Sequence, residues 1–175
     1  MKSIEGISSI NQEDRFIDIL GQVPLFDSFE TNELAMLAKH MNFVGIDKDA
    51  LLFREGDKGD YVCFVLEGSL DVIKKTENND FIKIATLTKG DSIGEMSILD
   101  QIVRSATIKA CETSKVVSLS KNDFELILND YPKIGVKILK GLSRYMSLNM
   151  RRTSRLFADM TENYMSLLED YRTTF

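Results

Sequence analysis

Short β-rich runs crowd the region from 43 to 120 and predict an α+β protein. Its centre is read as a small antiparallel β-barrel or jelly roll (a double-stranded β-helix), flanked by N-terminal helices and a long C-terminal helix. Three observations carry this reading. The runs NFVGI, ALLF, YVCFVLEG, SLDVIKK, DFIKIATL, SATIKA and KVVSLS have strand length and are rich in Val, Ile and Phe. Turn residues punctuate them: EGDKGD, EGS, ENND and KGDS. Most of these runs have no helix between them, as an antiparallel fold allows and a parallel sheet does not.

Helical periodicity is confined to the ends. Residues 12–20, QEDRFIDIL, put Phe16, Ile17 and Leu20 on one face, and Pro24 ends that segment. Thr31 is the expected cap of a second helix carrying Leu34, Leu37, Ala38 and Met41. Within the strands, Val62, Phe64 and Leu66 alternate as one inward face, and Ala106, Ile108 and Ala110 do the same. Ser120 or Asn122 caps the helix of SKNDFELILNDY, and Pro132 sits where a new helix begins.

From 133 to 157 only Gly135 and Gly141 weaken the helical run. Ile138, Leu142, Tyr145, Asn149, Arg152 and Leu156 recur at alternating steps of three and four residues, a coiled-coil-like seam that predicts a homodimer through this helix. A further amphipathic piece, 161–171, carries Tyr164, Leu167, Leu168 and Tyr171. The expected organisation is therefore a helical segment 1–42, a β core 43–120, C-terminal helices 121–157 and a helical tail 158–175.

Composition removes several chemistries. His40 is the one histidine, placed at a helix end, which argues against histidine-based zinc sites and catalytic triads. Cys63 and Cys111 lie in or beside apolar runs and read as buried thiols of a reducing compartment, too few to ligate an iron–sulfur cluster. No apolar run reaches the length of a membrane helix and the N-terminus has no signal-peptide core. The expectation is a cytoplasmic protein that is not an enzyme, with no metal and no cofactor. Seven basic and no acidic residues fall between 133 and 158, leaving the rest of the chain at −12. That stripe reads as a solvated face or a surface for an acidic partner, and the overall charge of −5 argues against nucleic acid.

The stretch GEMSILDQIVRSATIKA, 94–110, places Glu95 after a glycine and Arg104 nine residues on. Two readings are open. Glu95 can favour a helix first turn and Arg104 can pair with Asp100. Alternatively, Gly94 lets backbone approach a ligand, a helical turn offers N–H groups to an anion, Arg104 grips phosphate, and Glu95 accepts from a sugar hydroxyl.

The residues resemble the cyclic nucleotide-binding domain family. Gly94-Glu95-Met96-Ser97-Ile98 followed by Arg104-Ser105-Ala106-Thr107 is similar to that family's phosphate-binding cassette. GDKGDYVCFVLEGSLDV is similar to its earlier turn-and-strand signature. The resemblance covers about residues 20–157. It implies that Glu95 binds the ribose 2′-hydroxyl and Arg104 the cyclic phosphate of cAMP or cGMP. Gly94, Met96, Ser97, Ser105 and Ala106 would complete the cradle, Val72, Ile84 and Ala85 would face sugar and base, and Asn149 would lie in a helical lid. With only 18 residues after Phe157, no appended DNA-binding domain is expected. The implied protein is a regulatory module that signals by moving its C-terminal helices to an unidentified partner. The alternative is a ligand-free scaffold acting through its tail.

Overall fold

The computed structural model describes residues 17–100 and 102–174. The chain forms two compact units that divide after Ile138.

In the first unit, residues 17–20 are helical, and residues 12–16 of the expected first helix lie outside the described residues. A 3-10 turn at Pro24–Phe26 leads to α1, Thr31–Ala38. Glu30, not Thr31, caps this helix: its side chain accepts from the Glu33 N–H, while Glu33 Oε2 accepts from the Glu30 N–H at 2.8 Å. This reciprocal box satisfies two of the donors that a helix start leaves orphaned. The same Glu33 oxygen accepts from Lys137 Nζ at 2.5 Å, and Lys137 also donates to the Ser28 carbonyl at 3.0 Å. The Lys137 ammonium holds the Glu33 carboxyl below its ordinary range.

Eight strands follow: β1 Met41–Ile46, β2 Leu51–Phe53, β3 Tyr61–Glu67, β4 Leu70–Lys75, β5 Phe81–Leu87, β6 Ser92–Ile93, β7 Thr107–Ala110 and β8 Ser114–Ser120. They pair antiparallel in two four-stranded sheets, β1-β8-β3-β6 and β2-β7-β4-β5. The jelly-roll expectation holds, with one refinement: the sheets face each other and are not closed into a barrel. Asn79 at φ 66 supplies the left-handed residue in the ENND turn between β4 and β5.

The core between the sheets is built from Ile46, Cys63, Val65, Ile93 and Val116 of one sheet and Leu70, Ile108 and Ala110 of the other. Burial pushes the Cys63 thiol up to about 12. The β7 alternation is as expected, whereas β3 differs. Residues Val62 to Leu66 are all buried, because Phe64 packs edge-on against Phe26 at 5.2 Å while Cys63 and Val65 turn into the inter-sheet core. A strand covered on both faces reads as a continuous apolar run, and VCFVL is one.

α2 spans Glu95–Asp100, between β6 and β7. α3, Lys121–Asp130, is capped by Ser120, whose hydroxyl accepts from the Asp123 N–H at 3.1 Å. α4 runs from Pro132 to Thr174, 43 residues without interruption. The expected C-terminal helix to 157 and the helical tail from 158 are continuous in α4, because Ala158, Asp159 and Met160 are all compatible with helix and no glycine or proline intervenes.

Glu33 closes the α1 cap and meets Lys137, so its loss should cost more than loss of the lysine. Glu33→Ala is expected to lower stability to urea by about 1–2 kcal/mol. Lys137→Ala should lose less than about 1 kcal/mol. Equal losses would show that the cap contributes nothing.

Candidate functional site

The cassette is built where the two sheets exchange chain. β6 leaves the first sheet at Ile93, Gly94 turns the backbone, α2 makes its short helix, and the chain enters the second sheet at Thr107. Gly94 has φ +82, a region that other residues rarely adopt, and a Cβ there would stand 2.1 Å from Arg104 Nη1. Both facts require glycine.

Arg104 is the largest fully buried side chain of the protein's described part, 1% exposed. Its Nη2 donates to the Tyr61 carbonyl at 2.8 Å and its Nη1 to the Gly94 carbonyl at 3.2 Å. The guanidinium carbon sits 4.1 Å from the Phe53 ring centre and 4.4 Å from that of Tyr61. Two aromatic rings therefore attract the cation. The third guanidinium nitrogen, Nε, has no partner among the described residues. No carboxylate among the described residues lies within ion-pair distance of this guanidinium, so neither Asp100 nor Glu95 neutralises it. The Asp100 pairing that the sequence left open does not form: Asp100 Oδ1 instead accepts from the Ile102 N–H at 3.0 Å.

The backbone around the arginine is fastened. Its N–H donates to the Asp57 carbonyl at 2.8 Å and its carbonyl accepts from the Gly56 N–H at 2.9 Å. Lys74 Nζ donates to the Ser105 carbonyl at 2.6 Å and to the Glu55 carboxylate, which lowers the Glu55 pKa. The Glu55 N–H in turn donates to Thr107 Oγ1 at 3.0 Å. Thus the turn 54–57, strand β4 and the start of β7 clamp one loop.

Gly59 comes from the same turn. A Cβ on it would lie 2.1 Å from Ser97 Cβ and 3.3 Å from Arg104 Nε. Ser97 is buried there, while Met96 and Ser105 are exposed and Ala106 is buried. Glu95 is half-buried, and burial raises its carboxyl above the ordinary 4.5, partly offset by its own N–H and by the field of Arg104. An acid and a cation thus share the site without an ion pair. One is kept half-buried and the other is held by carbonyls and rings.

Gly94, Glu95, Met96, Ser97, Arg104, Ser105 and Ala106 are therefore brought together on one turn-helix-strand segment. Val72 is half-buried and pairs with both Ala85 and Ile108. Ile84, 52% exposed, is the extra residue of a bulge opposite Val72 and Ile73, and Ala85 beside it is exposed. Asn149 belongs to the second compact unit and is described with α4 alone. Sequence reasoning missed Phe53, Tyr61, Gly59, Glu55 and Lys74. Only Gly59 had a signal, as the second glycine of EGDKGD.

The profile described as "Cyclic nucleotide-binding domain" matches residues 44–131. The chain is 30% identical to a cyclic nucleotide-binding domain from Methylobacillus flagellatus, with a TM-score of 0.76, over 85% of this chain and 84% of that one. It is also 28% identical, over 148 residues, to a lysophospholipase of Neurospora crassa, covering 82% of this chain and 10% of the enzyme. It is 24% identical to a CRP-like cAMP-activated global transcriptional regulator of Mycobacterium tuberculosis, covering 82% of this chain and 62% of the regulator. The chain thus spans a tenth of the fungal enzyme and under two thirds of the regulator. Over its turn, strands and cassette, this chain belongs to the cyclic nucleotide-binding domain family.

Proposed function

We propose that this chain is a regulatory module that binds cAMP or cGMP and passes the signal through α4. The supporting observation is Arg104, a buried cation with no neutralising acid and a donor left without a partner. Burying a charge without a counter-charge is costly, and an anion would relieve that cost. A cyclic phosphate would take the free Nε–H and compete with the Gly94 carbonyl for Nη1. Glu95 would accept from the ribose 2′-hydroxyl, with Met96, Ser97, Ser105 and Ala106 completing the cradle. Val72, Ile84 and Ala85 would meet sugar and base, and Asn149 would close over the base as α4 moves. The output would leave through α4, by self-association or to another protein. No described helix is long and apolar enough to cross a membrane.

A second reading is the ligand-free scaffold acting through its helical tail. It is favoured by the two carbonyls and two rings that already hold Arg104, since a structural cation would be held in that way. Ligand-induced stabilisation separates the two readings. A ligand at a hundred times its dissociation constant adds about 2.7 kcal/mol, and a scaffold gains nothing from cAMP or cGMP.

Removing a hydrogen bond to a charged group costs about 1.5–3 kcal/mol, or roughly 10- to 150-fold in affinity. Arg104→Ala should weaken cyclic nucleotide binding by at least that factor in titration calorimetry. Unchanged affinity would remove Arg104 from the site. Gly59→Ala should also weaken binding, because its Cβ displaces Ser97 and crowds Arg104 Nε, while strand content by circular dichroism stays the same. Wild-type affinity in that variant would show that the approach of the turn to the cassette is unimportant.

Glu95 gives a pH signature. The folded state holds its proton more tightly than the unfolded chain, so stability falls as pH rises from about 4.5 through the raised pKa, then levels off. Glu95→Gln removes that loss. The ligand-free variant should melt above the wild type at pH 7, with the gap closing towards pH 4, and should bind nucleotide more weakly. A variant that melts below the wild type at pH 7 would contradict the burial cost.

A further inference from the structure

β1 is an edge strand of the first sheet and β2 an edge strand of the second, and the turn 47–50 carries the chain between them. The turn is closed by the Ala50 N–H, which donates to the Asp47 carbonyl at 3.0 Å, and is fastened to Ala110 of β7 through Asp49 and Ala50. The two strands share no ladder, and a cavity of about 420 Å³ lies against both. Gly94, Glu95, Ser97 and Arg104 do not line it, so it is separate from the cassette. An apolar cavity of about 150 Å³ is enough to hold benzene, and this volume suits a molecule of one or two rings.

The walls limit what such a molecule can be. Residues opposite each other in an antiparallel ladder share a face of the sheet. Val44 opposes Val116, and Ser118 of β8 sits between Asn42 of β1 and Cys63 of β3. Val116 and Cys63 belong to the inter-sheet core, so Val44 and Ser118 face the same way. Ala50 and Leu52 close the other side, and Tyr61 adds an aromatic ring. Apolar walls with one ring favour an aromatic occupant and penalise a charged one buried among them.

The side-chain oxygens at this cavity are all acceptors. Tyr61 Oη donates its proton to the Leu52 carbonyl at 3.1 Å, and Ser118 Oγ donates its proton to the Asn42 carbonyl at 3.4 Å. A hydroxyl has one proton, so each is left with lone pairs to offer. The carboxylate of Asp47, exposed at the rim, accepts as well. The complement is a donor, and an anion is repelled. One residue joins this cavity to the cassette: the Tyr61 ring in its wall also stands 4.4 Å from the guanidinium carbon of Arg104.

We propose that the cavity between β1 and β2 is a second ligand site, for a small aromatic molecule that carries an N–H or O–H donor and no negative charge, and that its occupancy is felt at Arg104 through Tyr61. This goes beyond the cyclic nucleotide reading and does not depend on it.

Titration of the full chain with indole, which is bicyclic, uncharged and carries one N–H, tests the site. In a carbon–proton correlation spectrum the methyl resonances of Val44, Ala50 and Leu52 should move together and saturate, with a Kd of about 1 mM or below. The Arg104 Nε–Hε resonance should move with them. Benzofuran has the same shape with oxygen in place of the N–H, and should bind about two- to tenfold more weakly. Indole-2-carboxylate should leave the three methyls in place.

Methyls that stay still well above that concentration, or shifts confined to the exposed side chains of α4, overturn the site. Benzofuran binding as tightly as indole overturns the need for a donor, and a stationary Arg104 resonance overturns the link through Tyr61. Ala50→Phe places a ring in the space the probe would take and should abolish the response of Val44 and Leu52. A folded Ala50→Phe chain that still responds puts indole elsewhere and overturns the assignment. The indole and benzofuran comparison uses the unaltered chain, so the test stands if that variant does not fold. Cyclic nucleotide is absent throughout, so this proposal and the cassette reading fail separately.

Discussion

A guanidinium withdrawn from water without a carboxylate beside it must find its compensation in dipoles and π-faces, and Arg104 is held in that way. Much of the surrounding architecture follows from this one constraint. The carbonyls of Tyr61 and Gly94 must point inward, so β3 has to begin and β6 has to end beside the arginine. Gly94 must lack a side chain to leave room for Nη1, and Gly59 must lack one to leave room for Ser97 and Nε. Phe53 and Tyr61 must reach the guanidinium from two different strands. The arrangement leaves Nε without a partner among the described residues, which gives the site an unmet demand for an acceptor.

The jelly roll serves the cassette by supplying it from both sheets. The first sheet provides Tyr61 and the lead-in through Ile93, while the second provides Phe53 through β2 and receives Thr107 through β7. A closed barrel would not be needed for this, because the inter-sheet core from Ile46 to Val116 already fixes the distance between the two faces. Lys74, on β4, ties the loop to the second sheet through Ser105 and Glu55.

Seven of the eight strands and their turns were legible in the sequence because short β-rich runs and glycine-containing turns are local signals, whereas β6 is only two residues long and carries no such run. VCFVL was misjudged as one-faced, since alternation cannot reveal that helices cover the second side of β3. The Thr31 cap was a local guess overridden by Glu30 and Glu33, whose reciprocal bonds are worth more than one hydroxyl. In the cassette, Gly94, Glu95 and Arg104 could be found from their motif. Phe53 and Tyr61 could not, because their contact with Arg104 depends on the pairing of β2 with β7 and on the start of β3. The continuity of α4 past residue 157 was hidden by a dip in hydrophobic periodicity, not by any breaker.

The central claim is that the free Nε–H of Arg104 awaits a phosphate. The most direct measurement is the Nε–Hε resonance of Arg104 in a nitrogen–proton correlation spectrum, assigned by its loss in Arg104→Lys and followed during titration with cAMP or cGMP. A large downfield proton shift with either nucleotide, absent with the linear 5′-monophosphates, is the predicted result. A resonance that stays in place at saturating concentrations of both would contradict it and leave Arg104 as a structural cation.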